Sequence, residues 1–374
     1  PILGVQWHPE TFFRHGEMTS MHALFEWLVH EGALYHRSRK LHESTVTLDS
    51  HCDTPMFFPD SQDDVNHMFT TRTDRVLVDL PKMTDGRLDA SIMVAYIPQG
   101  ERSAQGYREA FTLAQKKLDQ IEALTRAYPH LLGLASSPDD LLRFKAQGIK
   151  AIMRGIENGY AIGRDLSLLS HFRQMGVVYM TLCHNGDNDI CDSARGHAEH
   201  GGLSAFGQEV VREMNALGMM IDMSHAAESS FYDALALSQA PIVCSHSSSR
   251  ALCSHPRNLT DDQMKALAAQ GGVAQVTLYH GFLRHEGEAT VLDALDHLHH
   301  MVQVMGPEHV GIGTDFDGDG GVRGLKDASE LIGFTRQLLR RRYSESDLQG
   351  IWGGNFLRVM RQVQSSATSH LGLS

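Results

Sequence analysis

Leu48-Asp49-Ser50-His51-Cys52-Asp53 is a short β-rich run that ends in metal-binding side chains. His51 and Asp53 are two apart, so on a strand they point to the same face and can chelate one ion. The pattern recurs along the chain. Later runs end Met153-Arg154-Gly155-Ile156-Glu157-Asn158-Gly159, Thr181-Leu182-Cys183-His184-Asn185, Ile221-Asp222-Met223-Ser224-His225, Val243-Cys244-Ser245-His246 and Gly313-Thr314-Asp315-Phe316-Asp317. A lone His-x-Asp is common and says little. Six strand ends that carry such groups together are hard to explain as satisfied core polars.

Working outward, eight candidate strands begin near Val46, Leu88, Ile149, Val177, Met219, Pro241, Gly272 and His309. Helical stretches such as 105–128, 206–217, 261–269 and 291–305 lie between them. Strands that alternate with helices imply a parallel sheet, because parallel neighbours need a crossover. Eight such units predict an α/β chain folded as a (β/α)8 TIM-like barrel, although periodicity alone leaves a doubly wound open sheet standing. In a barrel the strand ends meet at one mouth, where the active sites of this fold sit.

The first forty residues read differently. Ile2-Leu3-Gly4-Val5-Gln6-Trp7 is a short apolar strand, and a helical pattern follows from Ser20 through Leu24, Phe25, Leu28 and Val29. The basic run Arg37-Ser38-Arg39-Lys40 reads as a linker, which divides the chain into a small strand-helix appendage, 1–40, and a barrel, 41–374.

The charge balance is 33 basic against 45 acidic residues, a net −12, which disfavours nucleic acid and anionic membranes and suits a site for cations. Cys52, Cys183, Cys191, Cys244 and Cys253 are odd in number and match no small disulfide scaffold, so buried free thiols in a reducing, cytoplasmic setting are expected. No stretch of about 18 apolar residues exists, so no membrane insertion is expected. The chain starts at Pro1, as a fragment or processed product would.

The ordered set of motifs resembles the membrane (renal-type) dipeptidase family, within the metal-dependent amidohydrolase superfamily. The resemblance runs from about Val46 to Val363 and also takes in Ser245-His246-Ser247, Arg257-Asn258 and Asp315-Phe316-Asp317-Gly318. It implies that His51 and Asp53 bind one zinc, that His225 and His246 bind a second, and that Glu157 bridges them. It further implies that His184 contacts the substrate carbonyl, that Arg257 holds the substrate's C-terminal carboxylate, and that Asp315 is the acid/base. Asn258 and Tyr279 are expected among the substrate contacts. The family often has asparagine where this chain has Cys52, a position expected to point away from the metals. Two zinc ions that share a water lower its pKa and produce hydroxide. Zinc and His184 then stabilise the oxyanion, and Asp315 protonates the leaving amine.

The implied substrate is a small dipeptide and the expected assembly includes a possible homodimer. Another binuclear amidohydrolase, an N-acyl-amino-acid hydrolase or lactonase, shares barrel and metals, and Arg257 is the discriminator, since it suits a free carboxylate near the scissile bond. A non-catalytic binding module is disfavoured because every metal and acid/base position is filled.

Several features are expected to be decoys. Asp315-x-Asp317-x-Asp319-Gly320 imitates an EF-hand loop, but its twelfth position is Lys326. His297, His299 and His300 read as a solvated helix face, and His197 and His200 as surface. Gly4-Val5-Gln6-Trp7-His8-Pro9-Glu10 resembles the C-terminal end of class I glutamine amidotransferases and γ-glutamyl hydrolases, in which His8 and Glu10 would serve an upstream cysteine. That nucleophile is absent from the sequence, so the segment is expected to be catalytically incomplete and to pack on the barrel.

Overall fold

A computed structural model describes residues 20–367. Each of the eight expected runs forms a strand: β1 (Leu48–Cys52), β2 (Ala90–Tyr96), β4 (Lys150–Glu157), β5 (Val177–Thr181), β6 (Met220–Asp222), β7 (Val243–Cys244), β8 (Val273–Val276) and β9 (Val310–Ile312). The short β3 (Leu132–Leu134) was not expected, and it pairs with β4 off the main path. Pairing is parallel in the order β1-β2-β4-β5-β6-β7-β8-β9. Past β9 the chain returns to β1: Asp315 N–H donates to His51 O at 3.1 Å, and Asp53 N–H to Phe316 O at 2.8 Å. These bonds close the circle, so the sheet is a barrel and not a doubly wound open sheet.

Helices cover the outside. The helix Ala104–Ala127 starts where Ser103 Oγ caps Gly106 N–H, and it turns Ala110, Ala114, Leu118, Ile121 and Leu124 inward at helical spacing. Burying each large apolar side chain of this kind contributes roughly 1.5–3 kcal/mol. The helix Asn355–Ser365 lies across the entry ends of the strands. Its Phe356, Val359, Met360 and Val363 join Leu48, Met153, Met220, Val243 and Val273 in one core cluster. Asn355 Nδ2 donates to Pro307 O and Val310 O at 2.7 and 2.8 Å, and Arg358 to Gly271 O at 2.8 Å. The floor is thus sealed, and the strand exits form the mouth.

The N-terminal reading needs correction. Residues 37–40 are not a linker: one helix runs from Ser20 to Ser44. Leu34, Ser38, Leu41 and His42 are its buried stripe, at spacings of four, three and one, while Arg37, Arg39 and Lys40 face outward. Glu31 pairs with Arg340, and His42 Nε2 meets Thr335 Oγ1 at 2.6 Å, so the helix docks on Leu331–Arg340. Leu28 and Val29 are exposed, whereas Leu24 and Phe25 are half-buried. The His8 and Glu10 motif lies outside the described residues. All five cysteines are free and buried. Among the described residues, no helix is long and apolar enough to cross a membrane.

Candidate active site

The strand exits bring the predicted ligands together. His51 ends the inward face of β1, Glu157 is the last residue of β4, and His225 and His246 follow β6 and β7. Glu157 Oε1 lies 3.6 Å from His51 Nε2, 3.0 Å from His225 Nε2 and 3.5 Å from His246 Nε2. Asp53 Oδ2 is 3.4 Å from His51 Nε2. Two ligand sets share Glu157: His51 and Asp53 on one side, His225 and His246 on the other. Asp315 also comes within ligand distance of His51 and His246. His225 and Asp315 adopt left-handed backbone, at φ +71° and +60°, the kind of strain that clusters at functional sites. Gly318 lies over the carboxylates, where a Cβ would stand 2.2 Å from Asp53 Oδ2 and 2.5 Å from Asp315 Oδ1.

Hydrogen bonds fix which nitrogen of each imidazole is free. Tyr179 donates its one hydroxyl proton to Ser50 O at 2.9 Å, so His51 Nδ1, 2.8 Å away, must donate to Tyr179. Ser245 Oγ donates to Asp222 Oδ2 at 2.6 Å, so His246 Nδ1, 2.9 Å away, must donate to Ser245. Asn185 Oδ1 accepts from His225 Nδ1 at 3.4 Å. All three Nε2 atoms therefore present lone pairs to the same carboxylate. Asp222 is the common anchor: it also accepts from Thr181 Oγ1 at 2.6 Å, Ser245 N–H at 2.8 Å and Ser224 N–H at 3.1 Å.

Lone pairs facing a carboxylate repel unless a cation lies among them. His225 Nε2 and His246 Nε2 stand 2.9 Å apart, with neither able to donate. His51 Nε2 and Asp53 Oδ1 are buried without a hydrogen-bond partner. Burial, then Arg257, holds His225 well below the usual histidine range, and burial, then His51, does the same to His246. Burial, followed by the charge of Asp53, pushes Glu157 and Asp315 well above the carboxylate range. Neutral imidazoles beside strained carboxylates are the donor set of a divalent cation, and nitrogen with carboxylate oxygen suits zinc. The residues present fit the metal.

Above this cluster opens a cavity of about 290 Å³. His184, Tyr279, Arg257 and Asp315 line it, as expected, and Phe282 and Arg195 join them. His184 Nε2 lies 4.0 Å from Glu157 Oε1, and burial, then Arg257, lowers its pKa to about 3. Arg257 is buried with Nε unpartnered, Nη2 3.4 Å from His246 O, and its guanidinium 5.1 Å over the Phe282 ring. Asn258 is not at the cavity wall. Its amide donates to Cys253 O and Phe282 O at 2.9 and 2.8 Å and accepts from Ser248 N–H, so it shapes the loop that carries Arg257.

The decoys resolve individually. Asp317 accepts from Thr54 Oγ1 at 2.6 Å and Leu77 N–H at 2.7 Å, which makes it a loop clamp. His299 and His300 face outward, toward Tyr343 and Asp261. His297 is a correction: it is buried, accepting from Ser249 N–H and donating to Leu283 O, both at 3.0 Å. Sequence reasoning missed Tyr179, Ser245 and Asp222 as the groups that orient the His51 and His246 imidazoles. Asp222 and Ser245 stood in the quoted strand ends. Tyr179 had one signal, a phenol inside an apolar strand that needs a buried partner.

Comparison with known proteins gives the family. The membrane dipeptidase family (peptidase family M19) matches residues 35–371. Dipeptidase 3 of Mus musculus is 36% identical over 337 residues, which cover 87% of this chain and 66% of that protein, so the chain spans just under two thirds of it. Dipeptidase verJ of Clonostachys rogersoniana is 33% identical over 344 residues, covering 88% of this chain and 87% of that protein. Among solved structures, the probable dipeptidase PvdM from Pseudomonas aeruginosa superposes with a TM-score of 0.84 at 28% identity, over 90% of this chain and 99% of that one. With a closed barrel, a shared Glu157 and this match over nearly its whole length, the chain belongs to the membrane dipeptidase family.

Proposed function

We propose that this chain is a metal-dependent dipeptidase that works with two zinc ions, His51 and Asp53 holding one, His225 and His246 the other, and Glu157 both. The observation that carries the reading is three Nε2 lone pairs within 3.6 Å of Glu157 Oε1, beneath a cavity lined by the Arg257 guanidinium, whose Nε has no partner. Bound zinc supplies a polarised carbonyl and a water whose pKa is brought toward neutrality.

The chain's own residues do the rest. Arg257 accepts the substrate's C-terminal carboxylate in a bidentate pair and is held flat by Phe282. That anchor fixes the scissile carbonyl over Glu157. His184, kept neutral, donates an N–H to the oxyanion as oxygen adds to the carbonyl carbon. Asp315, raised by burial and then by Asp53, takes the proton that water releases and delivers it to the amine nitrogen as the C–N bond breaks. The cavity is at the small end of ligand sites, and a longer peptide would place its carboxylate too far from the carbonyl.

The test compares kcat/KM for free dipeptides and for their C-terminal amides with zinc-loaded protein. Free dipeptides should be much the better substrates. Arg257→Met should cost them on the order of 2–5 kcal/mol, and cost the amides far less. Equal losses on acid and amide would move the reading to an acylase or lactonase.

A further inference from the structure

Arg195 is a second guanidinium at the cavity, and neither the metal ligands nor the hydrolysis described above uses it. It is exposed, and no hydrogen bond or ion pair to its side chain exists among the described residues. Some surface arginines have a carboxylate, as Arg102 has Glu199 and Arg361 has Asp139, and others such as Arg108 and Arg164 have none; Arg195 differs from these in lining the cavity. The acidic neighbour on its own loop is engaged with backbone and makes no ion pair with Arg195. Asp187 accepts Ser193 N–H at 2.7 Å and His197 N–H at 2.6 Å, one with each oxygen.

Its backbone is rigidly mounted. Ala194 N–H donates to His225 O at 2.7 Å, Ser193 Oγ to His184 O at 2.5 Å, and Arg195 N–H to Ser193 Oγ at 3.2 Å. The next residue is Gly196, where a Cβ would stand 1.7 Å from Asp187 Oδ1, so only glycine lets the loop close this tightly. The segment is therefore stapled to the two strand ends that carry His184 and His225.

The loop of Arg195 is bonded to the exits of β5 and β6, and β6 pairs with β7, whose following loop carries Arg257, so Arg195 stands toward the Arg257 side of the cavity. His255, whose Nδ1 accepts Arg257 N–H at 3.1 Å, belongs to the loop that carries Arg257. Burial lowers the pKa of His255, then Arg257, then Arg195, so both guanidiniums act on this one imidazole. A residue whose α-carboxylate sits on Arg257 would thus turn its side chain toward a second fixed cation. The chain as a whole carries −12, which repels anionic ligands, so an unpaired arginine at the mouth acts as a local counter-field.

The geometry points to Arg195 as a specificity residue that reads an acidic side chain on the C-terminal residue of the dipeptide. This deepens, and rests on, the dipeptidase reading. The preferred substrate class is dipeptides ending in glutamate or aspartate.

The experiment uses the zinc-loaded chain and measures kcat/KM for Ala-Glu, Ala-Gln and Glu-Ala. Ala-Glu should exceed the isosteric neutral Ala-Gln by on the order of tenfold, the size of one charge-assisted contact. In Arg195→Gln that ratio should fall to near one, and in Arg195→Glu it should invert. Raising salt should erode the preference of the parent chain, because the arginine is exposed. If the Ala-Glu to Ala-Gln ratio is the same in the parent chain and Arg195→Gln, the inference is overturned and the dipeptidase reading stands. A charge preference confined to Glu-Ala also overturns it. If none of the three peptides is cleaved, both readings fall together.

Discussion

His297 in the helical shell and His246 at the barrel mouth are both buried, and burial lowers the pKa of both. They differ in what their nitrogens touch. His297 accepts a backbone N–H at one and donates to a carbonyl at the other. His42 in the shell is likewise satisfied at both, by Arg87 O and Thr335 Oγ1. His246, His51 and His225 each have Nδ1 bonded and Nε2 turned on Glu157. Burial and weak basicity therefore do not separate a candidate ligand from a structural imidazole. The number of satisfied nitrogens does, because a buried lone pair without a donor is costly unless a cation takes it.

Metal removal is the harshest way to break this comparison. A chelator should take turnover to background, and restoring it should require two equivalents of zinc, measured by elemental analysis. Full activity at one equivalent would end the shared role of Glu157. The shell histidines predict a control: His297→Gln should leave metal content unchanged. Next in size is Asp315→Asn, which should cut turnover by roughly a hundredfold to ten-thousandfold while both metals remain. Loss of metal would make Asp315 a ligand, which its nearness to His51 and His246 makes a sharp test.

The barrel and the convergence of His51, Asp53, Glu157, His225 and His246 were legible because each of these closes an apolar run, and such runs in a parallel barrel exit at one mouth. β3 was not legible, since Leu132-Gly133-Leu134 is too short to show a period. His297 was misread, although it sits with Ala294, Leu298 and Met301 on the buried face of one helix, and that spacing was the available signal. Arg37 to Lys40 read as a linker because their charges hid the buried Ser38 and Leu41 between and beside them. Asn258 stood next to Arg257 in a motif, and adjacency in sequence does not settle which side chain turns to the cavity. Tyr179 was hidden in Val177–Thr181. Tyr179→Phe removes the acceptor for His51 Nδ1–H and should weaken metal affinity by about 10- to 100-fold, read by competition with a zinc indicator. Unchanged affinity in a folded variant would mean that Ser245 Oγ, 3.4 Å away, suffices.

The smallest expected effect concerns a shell histidine and appears only in the pH dependence of stability. Trp352 Nε1–H donates to Thr335 Oγ1 at 2.8 Å, and His42 Nδ1–H donates to Arg87 O at 3.3 Å. His42 Nε2, 2.6 Å from Thr335 Oγ1, is then free to accept the threonine hydroxyl proton. This chain of donors needs His42 neutral. Burial accordingly lowers its pKa from 6.5 to about 4, against the opposing pull of the Arg87 carbonyl. The sign follows from proton uptake. Between pH 6.5 and 4 the unfolded chain binds a proton at this position and the folded chain does not. Stability therefore falls as pH drops through that window, and levels off below pH 4. The full shift corresponds to roughly 3 kcal/mol, most of it felt by about pH 4.5. His42→Gln removes the titrating group. Urea unfolding of chelated protein at pH 7 and 4.5 isolates the effect, because the mouth histidines contribute equally to both proteins and cancel. The parent chain should lose roughly 2 kcal/mol more than the variant between the two pH values. Parallel losses would show that His42 already carries its proton in the folded chain, and the rule that two satisfied nitrogens mark a neutral structural imidazole would fail at this site.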